Sequence, residues 1–346
     1  MLRRDDPLTE HAERPIPVLE AVAGCVPPRV VSNDDLPQHW DTNDTWVRRR
    51  TGIGTRHWAE EGTSTGDLAL AAAEAVLAKC ATRSVDLVLV TTSTPDHPIP
   101  AMAPALAAKL GLAGVAAFDV SAVCTGFVYG LATASGMIAS GIAERVLLVA
   151  ADVYSTLIGP DDRSAGVVFG DGAGAVVLRA GERGEPGEIL GFDLGSDGTE
   201  HDLITVPAGG ARDRAEPGRY GEPDRHFRMS GREVYQHAIT RMTESSLAVL
   251  KSAGWTTADV DRLVAHQANA RILSLVGSRL SIPDEKIVGN IERVGNTGAA
   301  SIPLALADAV ARQEIHAGER VLLTAFGGGL TWGSAVLVWP ETDKGA

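Results

Sequence analysis

Two short motifs each occur twice in this sequence, at the same separation along the chain. "VDLVLV" begins at residue 85 and "VDRLVA" at residue 260, whereas "ERVLLVA" begins at 144 and "ERVLLTA" at 319, so both pairs lie 175 residues apart. Common strand composition could produce either pair alone, but the shared separation argues against coincidence. Self-similarity at a fixed offset indicates a repeated structural unit. We therefore predict a duplicated chain, with halves at about 15–182 and 183–340.

Short β-branched runs alternate with alanine- and leucine-rich runs in both halves. Continuous apolar runs of this length are typical of buried strands, and the longer alanine-rich runs favour helices. The predicted strands are 85–93, 144–152, 175–179, 319–326 and 334–339. The predicted helices are 66–80, 126–141 and 303–314. This alternation indicates an α/β fold with a largely buried sheet.

The region from about 181 to 230 differs from the rest. It is rich in glycine, proline, arginine and glutamate, as in "PAGGARDRAEPGRYGEPDRHF". Such composition predicts a long exposed loop at the start of the second half. The loop is either a tolerated surface insertion or a lid over a substrate entrance.

Charge and cysteine content exclude several classes of protein. The net charge of −13 would repel phosphate, so we do not expect a nucleic-acid binder. Three cysteines imply no disulfide framework. The sequence shows neither the apolar core of a signal peptide nor a run of 18 apolar residues that would span a membrane. We therefore expect a soluble cytoplasmic protein.

Cys124 lies where a strand-like run gives way to a helical one. "AAFDV" precedes it and "GFVYGLATASG" follows it. At a helix N-terminus the unpaired N–H groups and the helix dipole favour a thiolate, so we expect a lowered pKa for this thiol. The alternative is a buried packing residue, which is the interpretation that we give to Cys25 and Cys80.

Three further segments carry groups suited to catalysis. His266 follows a predicted strand, although a buried structural histidine is the alternative. Asn296 stands among small residues before a predicted helix, where it could serve only as a cap. Three consecutive glycines at 327–329 allow backbone N–H groups to approach a ligand closely. Neither this run nor the glycines at 170–174 have the spacing of a nucleotide-binding loop.

Together these segments resemble one family, the thiolase-fold condensing enzymes, and most closely β-ketoacyl-ACP synthase III. The matching motifs occur in the family's order and span nearly the whole chain. They are "WVRRRTGIGTR" (46–56), "DVSAVCTGF" (119–127), "FGDGAGA" (169–175), "HQANAR" (266–271), "GNTGAAS" (295–301) and "AFGGGLTWGSA" (325–335). The resemblance implies a five-layer αβαβα fold built from two duplicated halves, in agreement with the repeat found from the residues.

The resemblance also implies a catalytic set of Cys124, His266 and Asn296. Cys124 would accept a starter acyl group from a coenzyme A thioester. A malonyl thioester would then lose carbon dioxide, and donors on His266 and Asn296 would stabilise the resulting enolate. The backbone N–H groups of Cys124 and Gly328 would bind the oxyanion formed at the acyl carbonyl. Neither a metal nor a resident cofactor is expected, because coenzyme A enters as a substrate.

Further residues are assigned to the substrate tunnel by the same resemblance. Trp46 would stack on the adenine of coenzyme A, with Arg163 on the other face of that base. Arg50 would contact the phosphates, whereas Arg48 and Arg49 are interpreted as a solvated charge run. Asn269 would hydrogen-bond the pantetheine arm.

The acyl pocket and the docking face complete the set of implied residues. Ile99 would reach across a homodimer to close the acyl pocket, which Ile204 and Phe326 would also line. A small aliphatic group at Ile99 would suit a starter that is longer than acetyl or branched. Arg271 and Arg279 would dock an acidic acyl carrier protein.

Three functions remain open from the sequence. The chain could catalyse decarboxylative condensation in fatty-acid or polyketide initiation, transfer an acyl group to a non-malonyl acceptor, or act as a non-catalytic assembly partner. The intact Cys124 and Asn296 favour condensation, since a non-catalytic partner has no need of the thiol and a simple acyltransferase has no enolate to stabilise. The starter group and the pathway stay unassigned.

Overall fold

The computed structural model describes residues 14–341. Its strands are β1 (Ile16–Cys25), β2 (Val30–Ser32), β3 (Thr55–His57), β4 (Leu87–Thr91), β5 (Ala116–Val120), β6 (Arg145–Asp152), β7 (Gly172–Gly181), β8 (Ile189–Ser196), β9 (Ile204–Thr205), β10 (Arg228–Met229), β11 (Arg262–Ala265), β12 (Arg320–Gly327) and β13 (Thr331–Val338). Its α-helices are α1 (Asp44–Thr51), α2 (Thr65–Ala78), α3 (Met102–Lys109), α4 (Gly126–Ala139), α5 (Arg163–Gly166), α6 (Ala211–Ala215), α7 (Gly231–Ser252), α8 (Ala270–Arg279), α9 (Ile291–Val294) and α10 (Ser301–Ala311).

Two mixed sheets have the same strand order. The larger sheet runs β1-β7-β6-β4-β5 and the smaller runs β8-β13-β12-β11. In both, the first three strands are antiparallel neighbours and the fourth is parallel to the third. The repeated motifs fall on β4 and β11 and on β6 and β12. Strands β1–β7 precede residue 182 and β8–β13 follow it, although the exact division of the halves stays a prediction.

Five layers result from the packing of helices on these sheets. Helices α2 and α3 cover the outer face of the larger sheet. Helices α4 and α10 lie between the two sheets, and α7 and α8 cover the outer face of the smaller one. The αβαβα arrangement implied by the resemblance is thus confirmed.

Side-chain alternation along β4 explains why this strand is apolar throughout. Leu87 and Leu89 face α4 and α10, whereas Val88 and Val90 face α2 and α3. Successive side chains of a strand point to opposite faces, so a strand covered on both faces needs apolar residues at every position. Burial of each such side chain contributes roughly 1.5–3 kcal/mol.

The prediction of a continuous loop over 181–230 is wrong in part. Ile189–Ser196 forms β8, which pairs antiparallel with β13 at the edge of the smaller sheet. Glycine and acidic residues in this segment interrupt the apolar pattern that would have predicted a strand. The remainder carries short elements, and β9 and β10 pair with each other, which brings Ile204 beneath the glycine-rich segment. None of the helices in residues 14–341 is both long and apolar enough to cross a bilayer.

Candidate active site

Cys124 stands in a tight turn between β5 and α4. The turn, Val123–Thr125, is a 3-10 segment, and Val123 has a φ of +47°. A β-branched residue rarely adopts this left-handed region, so the surrounding packing must enforce the turn. Gly126 permits that packing, because a Cβ there would overlap the Thr91 hydroxyl at the end of β4.

The Cys124 thiol is buried, with 9% of the residue exposed. Burial raises its pKa to about 12, and the nearby Asp152 carboxylate adds to the rise, whereas a hydrogen bond with the Tyr154 side chain lowers it. The expected lowering of this pKa is therefore wrong, because desolvation of the thiolate is the largest influence on it. Cys124 is therefore a thiol rather than a thiolate at neutral pH.

His266 directly follows β11, and hydrogen bonds fix both its backbone and its side chain. Its backbone N–H donates to the Thr324 carbonyl at 2.8 Å, and its Nδ1 lies 2.6 Å from the Ser301 hydroxyl. Burial lowers the pKa of the imidazole to about 4, so the ring is neutral at physiological pH. When Ser301 donates to Nδ1, the ring hydrogen sits on Nε2, which leaves a neutral donor on the far side of the ring.

Asn296 is fixed in the loop between α9 and α10. Its backbone N–H donates to the Val168 carbonyl at 2.9 Å, and its carbonyl accepts from the Gly170 N–H at 2.9 Å. The side-chain Oδ1 accepts from the Gly298 N–H at 3.0 Å. With the oxygen occupied, the amide presents its N–H₂ group as the donor.

These segments converge through close backbone contacts. A Cβ built on Gly327 would lie 2.8 Å from the Cys124 nitrogen, and one on Gly126 would lie 3.3 Å from the Ala299 Cβ. The turn that carries Cys124 thus packs between the end of β12 and the segment that follows Asn296. Ser301 then joins that segment to His266.

The three residues predicted to line the acyl pocket, Ile204, Phe326 and Ile99, lie in different surroundings. A Cβ on Gly328 would lie 3.2 Å from Ile204 Cγ2, so the backbone of Gly328 faces Ile204. Phe326 is buried at the end of β12, opposite Trp332 of β13. Ile99 is 87% exposed, so within one chain it does not line the site.

Asp152 is a buried carboxylate that the sequence analysis did not single out. It accepts hydrogen bonds from the Ser93 N–H at 2.6 Å and from the Ala299 N–H at 2.8 Å. Burial raises its pKa to about 7. It therefore ties the segment after β4 to the segment after Asn296. Within residues 14–341 no three histidine, cysteine or acidic side chains are grouped to hold a metal ion.

An aromatic cluster next to Asp152 was also missed. Tyr154 stacks on Phe169 with ring centroids 4.5 Å apart, and Phe227 packs edge-on against Phe169 at 4.9 Å. Ile204 packs against the same cluster. These residues come from three distant segments, so no spacing in the sequence reveals them. Ser301, the partner of His266, could in contrast have been identified from the sequence, because it is the last residue of the "GNTGAAS" motif.

Two arginine guanidinium groups pack against the indole ring of Trp46 on α1. The Arg50 guanidinium lies 4.5 Å from the ring centroid and that of Arg163 lies 5.0 Å from it. Arg163 also donates to the Asp41 carbonyl at 2.9 Å. Because Arg163 stands on the indole itself, an adenine entering between them has to displace the guanidinium.

A cationic cavity of about 510 Å³ adjoins Trp46. It is lined by Asn43, Thr45, Trp46, Arg49, Arg50 and Arg271. Arg49 lines this cavity and is exposed, so its interpretation as part of a solvated run stays a prediction. Arg48 pairs with Asp44 and Glu292.

Helix α8 supplies the other predicted binding residues. Asn269 caps it, with Oδ1 accepting from the Arg271 N–H at 2.9 Å and Nδ2 donating to the Arg50 carbonyl at 3.1 Å. Both of its polar side-chain atoms therefore already have partners within the chain. Arg271 and Arg279 are exposed on the same helix, which presents two positive charges to solvent.

Comparison with known proteins points to a single family along the chain. Family models described as 3-oxoacyl-[acyl-carrier-protein] synthase III and its C-terminal part match residues 118–198 and 250–339. Two Streptomyces coelicolor proteins, named β-ketoacyl-[acyl-carrier-protein] synthase III 3 and 5, are 56% and 53% identical over 94% of this chain and over 98% and 97% of their own lengths. The chain belongs to the β-ketoacyl-[acyl-carrier-protein] synthase III family.

Solved structures of synthase III proteins share the fold. The 3-oxoacyl-(acyl carrier protein) synthase III of Pseudomonas aeruginosa superposes with a TM-score of 0.89 at 48% identity, covering 94% of this chain and 99% of that one. A priming β-ketosynthase from a polyketide biosynthetic pathway gives a TM-score of 0.89 at 30% identity, covering 97% and 100%. The family and the thiolase-like fold inferred from the motifs are confirmed.

Proposed function

We propose that this synthase III loads a starter acyl group from coenzyme A onto Cys124 and condenses it with malonyl-ACP. One observation carries the proposal. The segments that carry a buried thiol, a neutral imidazole and an amide whose oxygen is already bonded pack against one another, and they come from both halves of the chain. This combination provides one nucleophile and two neutral hydrogen-bond donors.

The first half-reaction is transfer of the acyl group to sulfur. The Cys124 sulfur attacks the thioester carbonyl, the bond from that carbonyl to the coenzyme A sulfur breaks, and the thiol proton leaves with coenzyme A. Backbone N–H groups of Cys124 and Gly328 stabilise the oxyanion. Close approach of the Gly327 backbone to Cys124 supports this assignment, because it leaves no side chain between the two segments.

The second half-reaction forms the carbon–carbon bond. The malonyl group loses carbon dioxide, and its thioester oxygen takes the negative charge of the enolate. His266 Nε2–H and the Asn296 amide donate to that oxygen. A histidine pKa of about 4 suits this role, because a neutral ring stabilises the enolate without protonating it. The enolate carbon then attacks the acyl carbonyl on Cys124 and the sulfur departs as thiolate.

The substrate side of the proposal rests on charge. Trp46, Arg50 and Arg163 adjoin a cavity whose arginines suit the phosphates of coenzyme A. Arg271 and Arg279 on α8 suit an acidic carrier protein. We further propose a homodimer in which the exposed Ile99 closes the partner's acyl pocket. Fatty-acid and polyketide initiation both fit this chemistry.

A two-stage mass measurement tests the proposal. The protein is incubated with a panel of acyl-CoAs, its intact mass is recorded, and the modified peptide is identified. Malonyl-ACP is then added, and carbon dioxide and β-ketoacyl-ACP are measured. We expect an adduct on the Cys124 peptide that disappears with product formation. Absence of the adduct would refute the nucleophile, whereas an adduct that malonyl-ACP does not discharge would refute condensation.

A further inference from the structure

Arg56 on β3 is a fully buried arginine to which the proposed function gives no role. It is the last residue of the motif "WVRRRTGIGTR" and is 0% exposed. Burial lowers the pKa of its guanidinium to about 10, so the group still carries its charge at neutral pH. Burial of a charge is unfavourable unless hydrogen bonds compensate for the lost water. The partners of this guanidinium therefore indicate what it does.

The guanidinium of Arg56 joins the start of the chain to the end of α5. Its Nη2 donates to Asn33 Oδ1 at 2.6 Å and to the Val167 carbonyl at 3.2 Å. Its Nη1 donates to the Val31 carbonyl at 3.4 Å. These partners are an amide and two carbonyls, so the charge is used to fix polar groups rather than to form an ion pair. Val167 directly follows α5 and begins the segment that leads to β7.

The stem of Arg56 lies against the two segments that fix Asn296. A Cβ built on Gly170, or one built on Gly295, would lie 3.2 Å from the Arg56 Cβ. The Gly170 N–H donates to the Asn296 carbonyl, and the Asn296 N–H donates to the Val168 carbonyl, both at 2.9 Å. One side chain thus touches both segments at the point where their backbones hold Asn296.

The backbone of β3 holds the same two segments independently of this side chain. The His57 carbonyl accepts from the Asp171 N–H at 2.8 Å. The Thr55 hydroxyl donates to the Arg293 carbonyl at 2.7 Å. These bonds remain when Arg56 is replaced, so we expect a variant to keep its fold and to lose only the precise placement of the segment after α5.

We propose that Arg56 is a positioning residue for Asn296. Its guanidinium fixes the Val167 carbonyl, and its stem supports the glycines on either side of the bonds that hold the asparagine. The inference rests on the proposed function, which makes the Asn296 amide a donor to the enolate. Arg56 itself touches no reacting atom. Its effect should therefore fall on condensation and spare the loading of Cys124, which does not use that amide.

The test times the two half-reactions separately. Acylation is followed by intact mass with an acyl-CoA alone, and condensation by carbon dioxide release after malonyl-ACP is added to preformed acyl-enzyme. We expect Arg56→Met to slow condensation about tenfold, as for loss of a hydrogen bond from a charged group, with acylation near the wild-type rate. Arg145→Met is the matched control. Arg145 is also largely buried and donates to Glu20 and to the Thr82 carbonyl, both at 2.8 Å, at the start of β6.

A double variant shows whether the effect passes through Asn296. When Asn296→Ala has removed the amide, Arg56→Met has nothing left to misplace, so the double variant should condense as slowly as Asn296→Ala alone. General loosening of the site would slow it further. Arg56→Lys should show the same preference for condensation with a smaller effect, since one ammonium group cannot reproduce the fork of a guanidinium. It carries the test if Arg56→Met does not fold.

Melting temperatures confirm that each variant is folded. The proposal is overturned if Arg56→Met or Arg56→Lys slows acylation as much as condensation, if Arg145→Met slows condensation selectively, or if the double variant is slower than Asn296→Ala. A wild-type protein that is acylated on Cys124 but releases no carbon dioxide from malonyl-ACP would instead count against the proposed function.

Discussion

Loss of the Ser301 hydroxyl should separate the two half-reactions. In Ser301→Ala, His266 Nδ1 loses its partner at 2.6 Å, and the Gln267 N–H loses the acceptor that it now has at 3.3 Å. Leaving a buried polar group without a partner costs about 1–3 kcal/mol. If about 1–2 kcal/mol of this cost appears as a weaker hydrogen bond from His266 to the enolate, the condensation rate falls about 5- to 30-fold. Acylation of Cys124 should stay near the wild-type rate, because His266 acts on the enolate.

The assay isolates each step. Acylation is timed by intact mass with an acyl-CoA alone, and condensation is timed by adding malonyl-ACP to preformed acyl-enzyme. Ser334→Ala is the matched control, since Ser334 is a buried hydroxyl that donates to Thr324 Oγ1 at 2.9 Å without touching His266. Both variants should lose similar stability. The reasoning fails if Ser334→Ala slows condensation as much as Ser301→Ala, or if Ser301→Ala slows both steps equally.

Three further outcomes are expected. Asn296→Ala should acylate normally but lose about 10²–10³-fold in condensation rate, as for removal of one oxyanion donor, and equal loss of both steps would contradict its role. Asp152 has a pKa of about 7 in the folded chain against an ordinary 3.8, so its contribution to stability is complete below pH 3.8 and is lost as the pH rises to about 7. Asp152→Asn should therefore flatten the dependence of Tm on pH in that window, and an unchanged slope would argue against the shift. Trp46→Ala should raise the KM for acyl-CoA more than it lowers kcat, and a KM equal to that of wild type would exclude stacking at this ring.

Much of the fold could be predicted because the sequences of the central strands repeat between the two halves. The repeated motifs lie on β4 and β11 and on β6 and β12, where both faces are covered and apolar residues are needed throughout. Strand β8 escaped prediction because it is an edge strand. Half-exposed positions and two glycines give it no clear alternation, so only its pairing with β13 defines it.

The candidate site could be predicted only where reactive residues lie in recognisable local motifs. Cys124, His266 and Asn296 lie in distinctive motifs, but the state of the thiol does not follow from its place at the start of a helix. Burial of Cys124 and the charge of Asp152 decide its pKa, and both depend on contacts between segments that are far apart in the chain. Tyr154, Phe169 and Phe227 likewise meet only in the folded protein.

The turn at Cys124 has a twin in the other half. Val123–Thr125 and Gly298–Ala300 are both 3-10 segments, lie 175 residues apart like the sequence motifs, and begin with φ values of +47° and +58°. By the same offset, the contact of Thr91 with Gly126 corresponds to that of His266 with Ser301. The two turns thus share their backbone geometry and differ in the residues that they carry. One turn carries Cys124 and the other lies between Asn296 and Ser301, the partner of His266, so under the proposed function each half of the molecule supplies what its counterpart lacks.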